Sequence, residues 1–323
     1  MKKNIAVVAG GYSSEYEVSL RSAETVSAAI DPERYNVYGI VLEKDAWTAR
    51  LPDGRTVPVN KNDFSFSCGG DVISIDYAYI TVHGSPGEDG RLQGYLDMLR
   101  IPCSSCGILA CALTFNKYVC NRFLESQGIS VAAAIRLRRG ESLAADAIVA
   151  SLGLPVFVKP NSSGSSFGIS KVKDAEQLQP AIGKAFAEDD EVIIERFIPG
   201  VEVTCGCYSA RGNLIALPLT EVIPANEFFD YGAKYNGESE EITPARLSAE
   251  LTGRIQQETK NIYKLIGARG LIRVDYILAP GGHPVVLEVN TTPGMTATSF
   301  IPQQIRAAGS NLRNVLTDII ENG

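Results

Sequence analysis

Four residues near the C-terminal end carry the strongest chemical signal: Arg273 and Asp275, then Glu288 and Asn290. On a β-strand, residues two apart point to the same face. Arg273 therefore shares a face with Asp275, and Glu288 shares one with Asn290. Where the two faces coincide, a guanidinium, two carboxylates and a carboxamide meet in one patch. Oxygen donors of this kind suit Mg²⁺, which keeps several waters and borrows phosphate oxygens from a nucleotide. The competing reading is a surface ion pair between Arg273 and a carboxylate, worth at most about 1 kcal/mol. Against it stands Asn290-Thr291-Thr292-Pro293-Gly294, a turn that takes the backbone sharply away from the patch.

Weaker signals lie upstream. In Lys159-Pro160-Asn161-Ser162-Ser163-Gly164-Ser165-Ser166-Phe167-Gly168, small residues let backbone N–H groups approach an anion, and Lys159 adds a positive charge at the base. Read blandly, this is a flexible hairpin loop. Lys117 offers a second phosphate contact, although a single helical lysine is more often solvated. Ser14 and Glu17 have the spacing of a helix capping box. Glu15 has no such task, and an acid at a sheet's ligand edge can hold an ammonium; acids are also common in first helical turns. His83 opens the loop His83-Gly84-Ser85-Pro86-Gly87-Glu88-Asp89-Gly90, where a satisfied structural histidine is the commoner outcome. The phosphate loop GxxxxGK[ST] is absent, and no GxGxxG follows the first strand, which disfavours a dinucleotide-dependent dehydrogenase.

These residues need elements to hold them. Apolar runs predict strands at Ile5–Ala9, Tyr35–Leu42 and Tyr77–Val82, with helices through Ile30 and from Arg91 to Leu99. Such alternation implies a parallel sheet with helices on its faces and its ligand edge at the strand C-termini. Asp45–Gly70 reads as an inserted hairpin and loop. A helix is expected from Thr114 to Gln127 and another near Ala144–Leu152. Strands follow at Val156–Lys159, Gly168–Val172 and Glu191–Glu195. Asp174 and Gln177 suggest a capping box for a helix that Pro180 breaks or kinks. Strands at Val201–Tyr208 and Leu214–Thr220 precede a polar loop of about 25 residues to Pro244, a length typical of functional loops. Leu247, Leu251, Ile255, Ile262 and Ile266 mark an amphipathic helix closed by Gly267. Gly270–Leu278 and Val285–Val289 should pair antiparallel across Pro280-Gly281-Gly282, and one helix closes the chain.

Composition bounds the function classes. The 323 residues are 45 % apolar and 21 % charged, as in an ordinary globular protein of two or three domains. Thirty basic and 37 acidic residues give a net charge of −7, a poor match to nucleic acid or an anionic membrane. No apolar run approaches the ~18 residues of a membrane span, and the stretch after Met1-Lys2-Lys3 is too short for a signal peptide. A cytoplasmic protein is expected. The seven cysteines read as reduced, buried thiols. Cys103/Cys106 with Cys205/Cys207 have the count for zinc, but their flanks lack zinc-ribbon character.

Five separated signatures, in order, resemble the D-alanine–D-alanine ligases, a branch of the ATP-grasp enzymes. They are Gly10-Gly11…Ser13-Ser14-Glu15…Glu17-Val18-Ser19-Leu20; His83-Gly84…Gly87-Glu88-Asp89-Gly90; the Lys159–Gly168 loop; Tyr231…Lys234-Tyr235; and Arg273…Asp275 with Glu288…Asn290-Thr291…Pro293-Gly294-Met295-Thr296. The similarity runs from about residue 4 to the C-terminus.

The resemblance implies an N-terminal parallel α/β domain (1–112) followed by a two-lobe ATP-grasp fold, with a central lobe (113–194) bearing the glycine-serine flap and a C-terminal lobe (195–323) bearing the metal site and long loop. It implies ligation of two D-alanines through an acyl phosphate, with ATP consumed and two Mg²⁺, or Mn²⁺, held by Asp275, Glu288 and Asn290. Lys117, Lys159 and Lys234 would contact the nucleotide's phosphates, with Ser165 and Ser166 in the loop that covers it. The Glu195–Ile198 backbone would meet adenine and Glu202 the ribose. Glu15, oriented by His83 or Ser165, would hold the first D-alanine's ammonium. Arg273 and the Gly294 N–H would stabilise the oxyanion, while Ser299 and the Phe300 backbone would take the second carboxylate. Tyr235 favours an amine over D-lactate as second substrate. Phe229 and Gly232 depart from the family pattern and bear on loop closure. The family is usually homodimeric. The rival readings are another ATP-grasp carboxylate–amine or carboxylate–alcohol ligase, such as a D-alanine–D-lactate enzyme, and a nucleotide-binding module without activity.

Overall fold

The computed structural model describes residues 2–51, 53–162, 164, 168–224 and 239–322. The chain runs β1 (Lys3–Gly10), α1 (Tyr16–Ala29), β2 (Tyr35–Leu42), β3 (Trp47–Arg50), β4 (Thr56–Pro58), β5 (Phe66–Cys68), β6 (Asp71–Ile73), β7 (Tyr77–Ile80), α2 (Arg91–Met98), α3 (Ile108–Phe115) and α4 (Lys117–Ser126). Then come β8 (Ala134–Arg138), α5 (Ala145–Leu152), β9 (Val156–Pro160), β10 (Ser170–Val172), α6 (Leu178–Phe186) and β11 (Glu191–Arg196). The last third holds β12 (Val201–Ala210), β13 (Asn213–Ala216), β14 (Thr220–Pro224), β15 (Ser239–Ile242), α7 (Ala249–Leu265), β16 (Leu271–Ala279), β17 (His283–Asn290), α8 (Phe300–Ala307) and α9 (Leu312–Asn322).

Three larger sheets and a two-stranded β5-β6 ladder organise these elements. The first has the order β4-β3-β2-β1-β7. Its β2-β1-β7 core is parallel, as the buried apolar run Ile5–Ala9 demands of a strand covered on both faces. The Asp45–Gly70 insertion adds β3 and β4 as an antiparallel edge, so the sheet is mixed rather than wholly parallel. The second sheet, β10-β9-β11-β8, is antiparallel and packs Val156, Val158, Val192 and Ile194 against α5 and α6. The third runs β15-β14-β12-β16-β17, with β13 also on β12. Its buried face packs Val203, Cys205, Val274 and Tyr276 against Ile255, Ile262 and Tyr263 of α7. No helix among the described residues is long and apolar enough to cross a membrane.

Several expectations change. The helix expected over Thr114–Gln127 is two helices, broken at Asn116, whose side chain caps α4 by accepting from the Val119 N–H at 3.0 Å. Lys117 thereby becomes the first residue of α4. The Ser14/Glu17 box does not form: α1 starts at Tyr16, and Ser13 Oγ accepts the Glu15 N–H instead, at 3.2 Å. Asp174 caps nothing. Gln177 Oε1 accepts from the Lys173 N–H, and Pro180 fits the first turn of α6, where a missing N–H costs nothing. The sequence pattern shows no strand where β8 runs, the loop expected before Pro244 contains most of β14 and all of β15, and the closing helix is two.

Candidate functional site

The β16–β17 register pairs Arg273 with Asn290 and Asp275 with Glu288, so all four side chains stand on one face. Arg273 gives Nε and Nη2 to the two Asp275 oxygens at 2.8 and 2.7 Å, and Asn290 Nδ2 reaches Asp275 at 3.1 Å and Glu288 at 3.4 Å. The ion pair weighed as a surface feature does form, but it is buried, with side chains only 15 % and 8 % exposed. Phe300 lies under the guanidinium at 5.4 Å. Among the described residues there is no cluster of three or more His, Cys, Asp or Glu suited to a metal. The set here is two carboxylates and a carboxamide, hard oxygen donors of the number Mg²⁺ takes when phosphates complete its shell. The donor chemistry fits. The seven cysteines are free, and burial pushes the Cys111 thiol up to about 11, the direction of a packed thiol rather than a thiolate ligand.

Both lysines arrive by way of one buried asparagine. Asn161, wholly buried, follows β9. Its Oδ1 accepts the Tyr118 N–H at 2.9 Å, and its carbonyl accepts the Lys117 N–H at 3.2 Å. This clasp sets the start of α4 beside the end of β9. Lys117 Nζ comes to 3.7 Å from Glu288, and Lys159 Nζ lies 2.5 Å from Glu195, which also accepts from Asn121 Nδ2 at 3.0 Å. Removing one partner from a buried pair of this kind costs about 3–5 kcal/mol. The sequence suggested backbone work for Glu195; its side chain is what neutralises Lys159.

The glycine pair after β1 has a steric reason. Gly10 and Gly11 have φ of +87° and +104°, and a Cβ on Gly10 would fall 2.5 Å from the Leu42 carbonyl oxygen. The chain turns there into α1, placing Glu15 at its N-cap. Ser13 Oγ donates to the His83 carbonyl at 2.8 Å, tying this turn to the loop after β7. His83 is buried, and desolvation holds its pKa below 6.5 against the opposing pull of Glu15. Glu88 was not singled out by the sequence. Burial and then the neighbouring Glu15 charge raise its carboxyl to about 8, although Gly84 donates its N–H to it at 2.7 Å. The signal for it is its place in the His83–Gly90 signature.

On the far side, α8 begins at Phe300 with Ser299 as its N-cap, and Ser299 Oγ lies 2.7 Å from Thr296 Oγ1. Gln304, wholly buried, bonds the Gly206 N–H, the Thr204 carbonyl and Thr220 Oγ1, fastening α8 to β12 beside the carboxylate patch. Nothing along the chain hints at this anchor, because a glutamine at a helical core position reads as polar surface. Glu221, held low chiefly by Arg246, stands at the same rim.

The charged groups named above open on one cavity of about 830 Å³, within the range of small-molecule sites. Its lining includes Glu15, Lys117, Lys159 and Glu195 together with Glu202, Arg273, Asp275, Glu288, Gly294 and Ser299. Ile198 is there as well, past the end of β11. Gly164 approaches from above: a Cβ on it would lie 2.1 Å from Glu15 Oε2. Ser165, Ser166, Phe229, Tyr231, Gly232, Lys234 and Tyr235 lie outside the described residues.

The family models described as D-ala D-ala ligase N-terminus and C-terminus match residues 4–106 and 123–321. The chain belongs to the D-alanine–D-alanine ligase family. It is 59 % identical over 322 residues to the D-alanine–D-alanine ligase of Parabacteroides distasonis, covering 100 % of this chain and 98 % of that one. It is 56 % identical to that of Bacteroides fragilis, covering 100 % and 99 %. Among solved structures it resembles the VanG D-Ala:D-Ser ligase of Enterococcus faecalis (35 % identity, 99 % of each chain, TM-score 0.89). It also resembles the Bacillus anthracis D-alanine–D-alanine ligase complexed with ATP (33 % identity, 99 % and 96 %, TM-score 0.79). The two β-rich lobes around the cavity are thus those of an ATP-grasp fold.

Proposed function

We propose that this chain joins two D-alanine molecules at the expense of ATP, yielding D-alanyl-D-alanine, ADP and phosphate, the step that supplies the dipeptide of peptidoglycan precursors. What carries the reading is one cavity that combines a triphosphate's requirements with those of two amino acids. The cationic Lys117 and Lys159 and the acidic β16–β17 patch line it together with Glu15, Arg273 and the start of α8. The three-part division at 112/113 and 194/195, and a homodimer, belong to the same reading through the family resemblance.

A carboxylate is a poor acyl donor and must be activated. The γ-phosphoryl group of ATP passes to the first D-alanine's carboxylate, giving an acyl phosphate. The second D-alanine's neutral amine attacks that carbonyl, and phosphate leaves the tetrahedral intermediate. In our assignment, Glu15 holds the first ammonium with His83 beside it. Lys117 and Lys159 meet the phosphates, the Glu195–Ile198 segment the base, and Glu202 the ribose. Asp275, Glu288 and Asn290 would hold two Mg²⁺, which supply charge neutralisation for the transferring group. Arg273 and the Gly294 N–H take the oxyanion, a donor pair whose loss typically costs about 3 kcal/mol per member. Ser299 and the Phe300 N–H receive the second carboxylate at the α8 N-terminus, where backbone N–H groups and the helix dipole favour an anion.

The test is phosphate release from ATP and Mg²⁺ with D-alanine present or omitted, followed by product analysis with D-lactate or D-serine added. D-alanine-dependent release with D-alanyl-D-alanine as the main product is expected. Release without D-alanine, or an ester or mixed dipeptide as the main product, would overturn the assignment.

A further inference from the structure

One hydroxyl inside the molecule touches two parts of the site at once. Ser22 lies two turns into α1 from Glu15, on the same side of the helix, and is wholly buried. Its Oγ accepts the Met295 N–H at 3.3 Å and stands 3.5 Å from His83 Nε2. A serine hydroxyl has a single proton to give. With the amide as donor on one side, that proton remains for the imidazole. His83 in turn has a backbone hydrogen bond at Thr292, of the kind that favours a ring N–H.

We propose that Ser22 is a positioning residue, whose hydroxyl donates to a bare His83 Nε2, leaves the ring proton on Nδ1, and at the same time pins the backbone next to Gly294. The segment Thr292–Met295 is then held at both ends, by His83 at Thr292 and by Ser22 at Met295. Pro293 and Gly294 span the interval, so the direction of the Gly294 N–H follows from these two anchors. Ser299 Oγ, 3.0 Å from where a Gly294 Cβ would stand, closes the other side. The same helix face that presents Glu15 to one substrate thus sets the aim of the group assigned to the oxyanion. Ser22 reaches neither substrate in this arrangement; it acts through His83 and the loop.

The chain has two histidines, which makes the ring protonation readable. Long-range ¹H–¹⁵N correlation spectra of the full-length, ¹⁵N-labelled protein, with His283→Gln used to assign the rings, should show His83 as a single neutral tautomer protonated at Nδ1. Ser22→Ala should convert that signal to a tautomer mixture or to the Nε2–H form. In phosphate release, Ser22→Ala should lower kcat by about tenfold to a hundredfold, the effect of a group misaimed by a fraction of an ångström to one ångström, with KM for ATP unchanged. A wild-type His83 protonated at Nε2, or an unaltered His83 spectrum in Ser22→Ala, would overturn the inference; so would kcat within twofold of wild type. The kinetic half rests on the ligase reading, which fails separately if the wild type releases no phosphate with D-alanine, whereas the spectra decide the tautomer either way.

Discussion

Replacing Gly164 with alanine separates positioning from folding. The φ of Gly164 lies outside the left-handed region, so its backbone conformation accepts an alanine; the obstacle is steric alone. The new Cβ would stand 2.1 Å from Glu15 Oε2, 3.0 Å from its Cδ and 3.4 Å from Oε1. Ordinary contact begins near 3.4 Å, so either the loop lifts or the carboxylate swings aside by more than an ångström. For stability this is cheap, because the atom that must give is the far end of a flexible side chain. For an ammonium held by Glu15 it is not, since a misplacement of about 1 Å can cost on the order of 10²-fold in rate. We therefore expect Gly164→Ala to lower kcat/KM for D-alanine about a hundredfold, or about 2.7 kcal/mol of transition-state stabilisation. Its thermal midpoint should stay within about 2 °C of wild type, a shift of under about 1 kcal/mol in a domain this size. In a Glu15→Ala background the clash is gone, and the second substitution should cost almost nothing, a non-additivity expected only of residues in contact. Steady-state phosphate release on the four proteins of this cycle measures it. Additive losses, or a single variant within threefold of wild type, would refute the reasoning.

Three further outcomes are expected. Glu288→Gln keeps the shape of the patch but removes a charge beside Lys117; turnover should fall at least about a thousandfold with an unchanged circular dichroism spectrum, and near-normal activity would remove the metal assignment. Gln304→Leu strands the Gly206 N–H and the Thr204 carbonyl in the core; at about 1–3 kcal/mol for each buried group left unpaired, urea unfolding should show a loss of about 2–6 kcal/mol, and a loss below about 0.5 would deny the anchor. His83 is held below 6.5 by burial, so the unfolded chain takes up its proton first as pH falls. Its contribution should be steady above about 6.5 and decline below, and His83→Gln should flatten that decline in unfolding experiments; a stability difference that is constant across this range would show that His83 does not titrate as described.

Local pattern made much of this protein readable. The parallel core strands, the amphipathic helix over α7 and the β16–β17 hairpin follow from short-range periodicity and from glycines at turns, and the two-residue spacing of Arg273, Asp275, Glu288 and Asn290 placed four polar groups on one strand face before any fold was known. What the spacing left open was whether that face looks to solvent. The answer needed β12 on one side of β16 and α8 across its end, both set by contacts distant in sequence. The break at Asn116 is hidden from local pattern for the same reason: its capping bond competes with helix continuation, and the Asn161 clasp favours the break. Glu88, Gln304 and Ser22 are ordinary polar residues when read along the chain. They acquire consequence from what folding buries beside them, because a carboxyl, an amide or a hydroxyl removed from water must take its partners from wherever the tertiary structure supplies them.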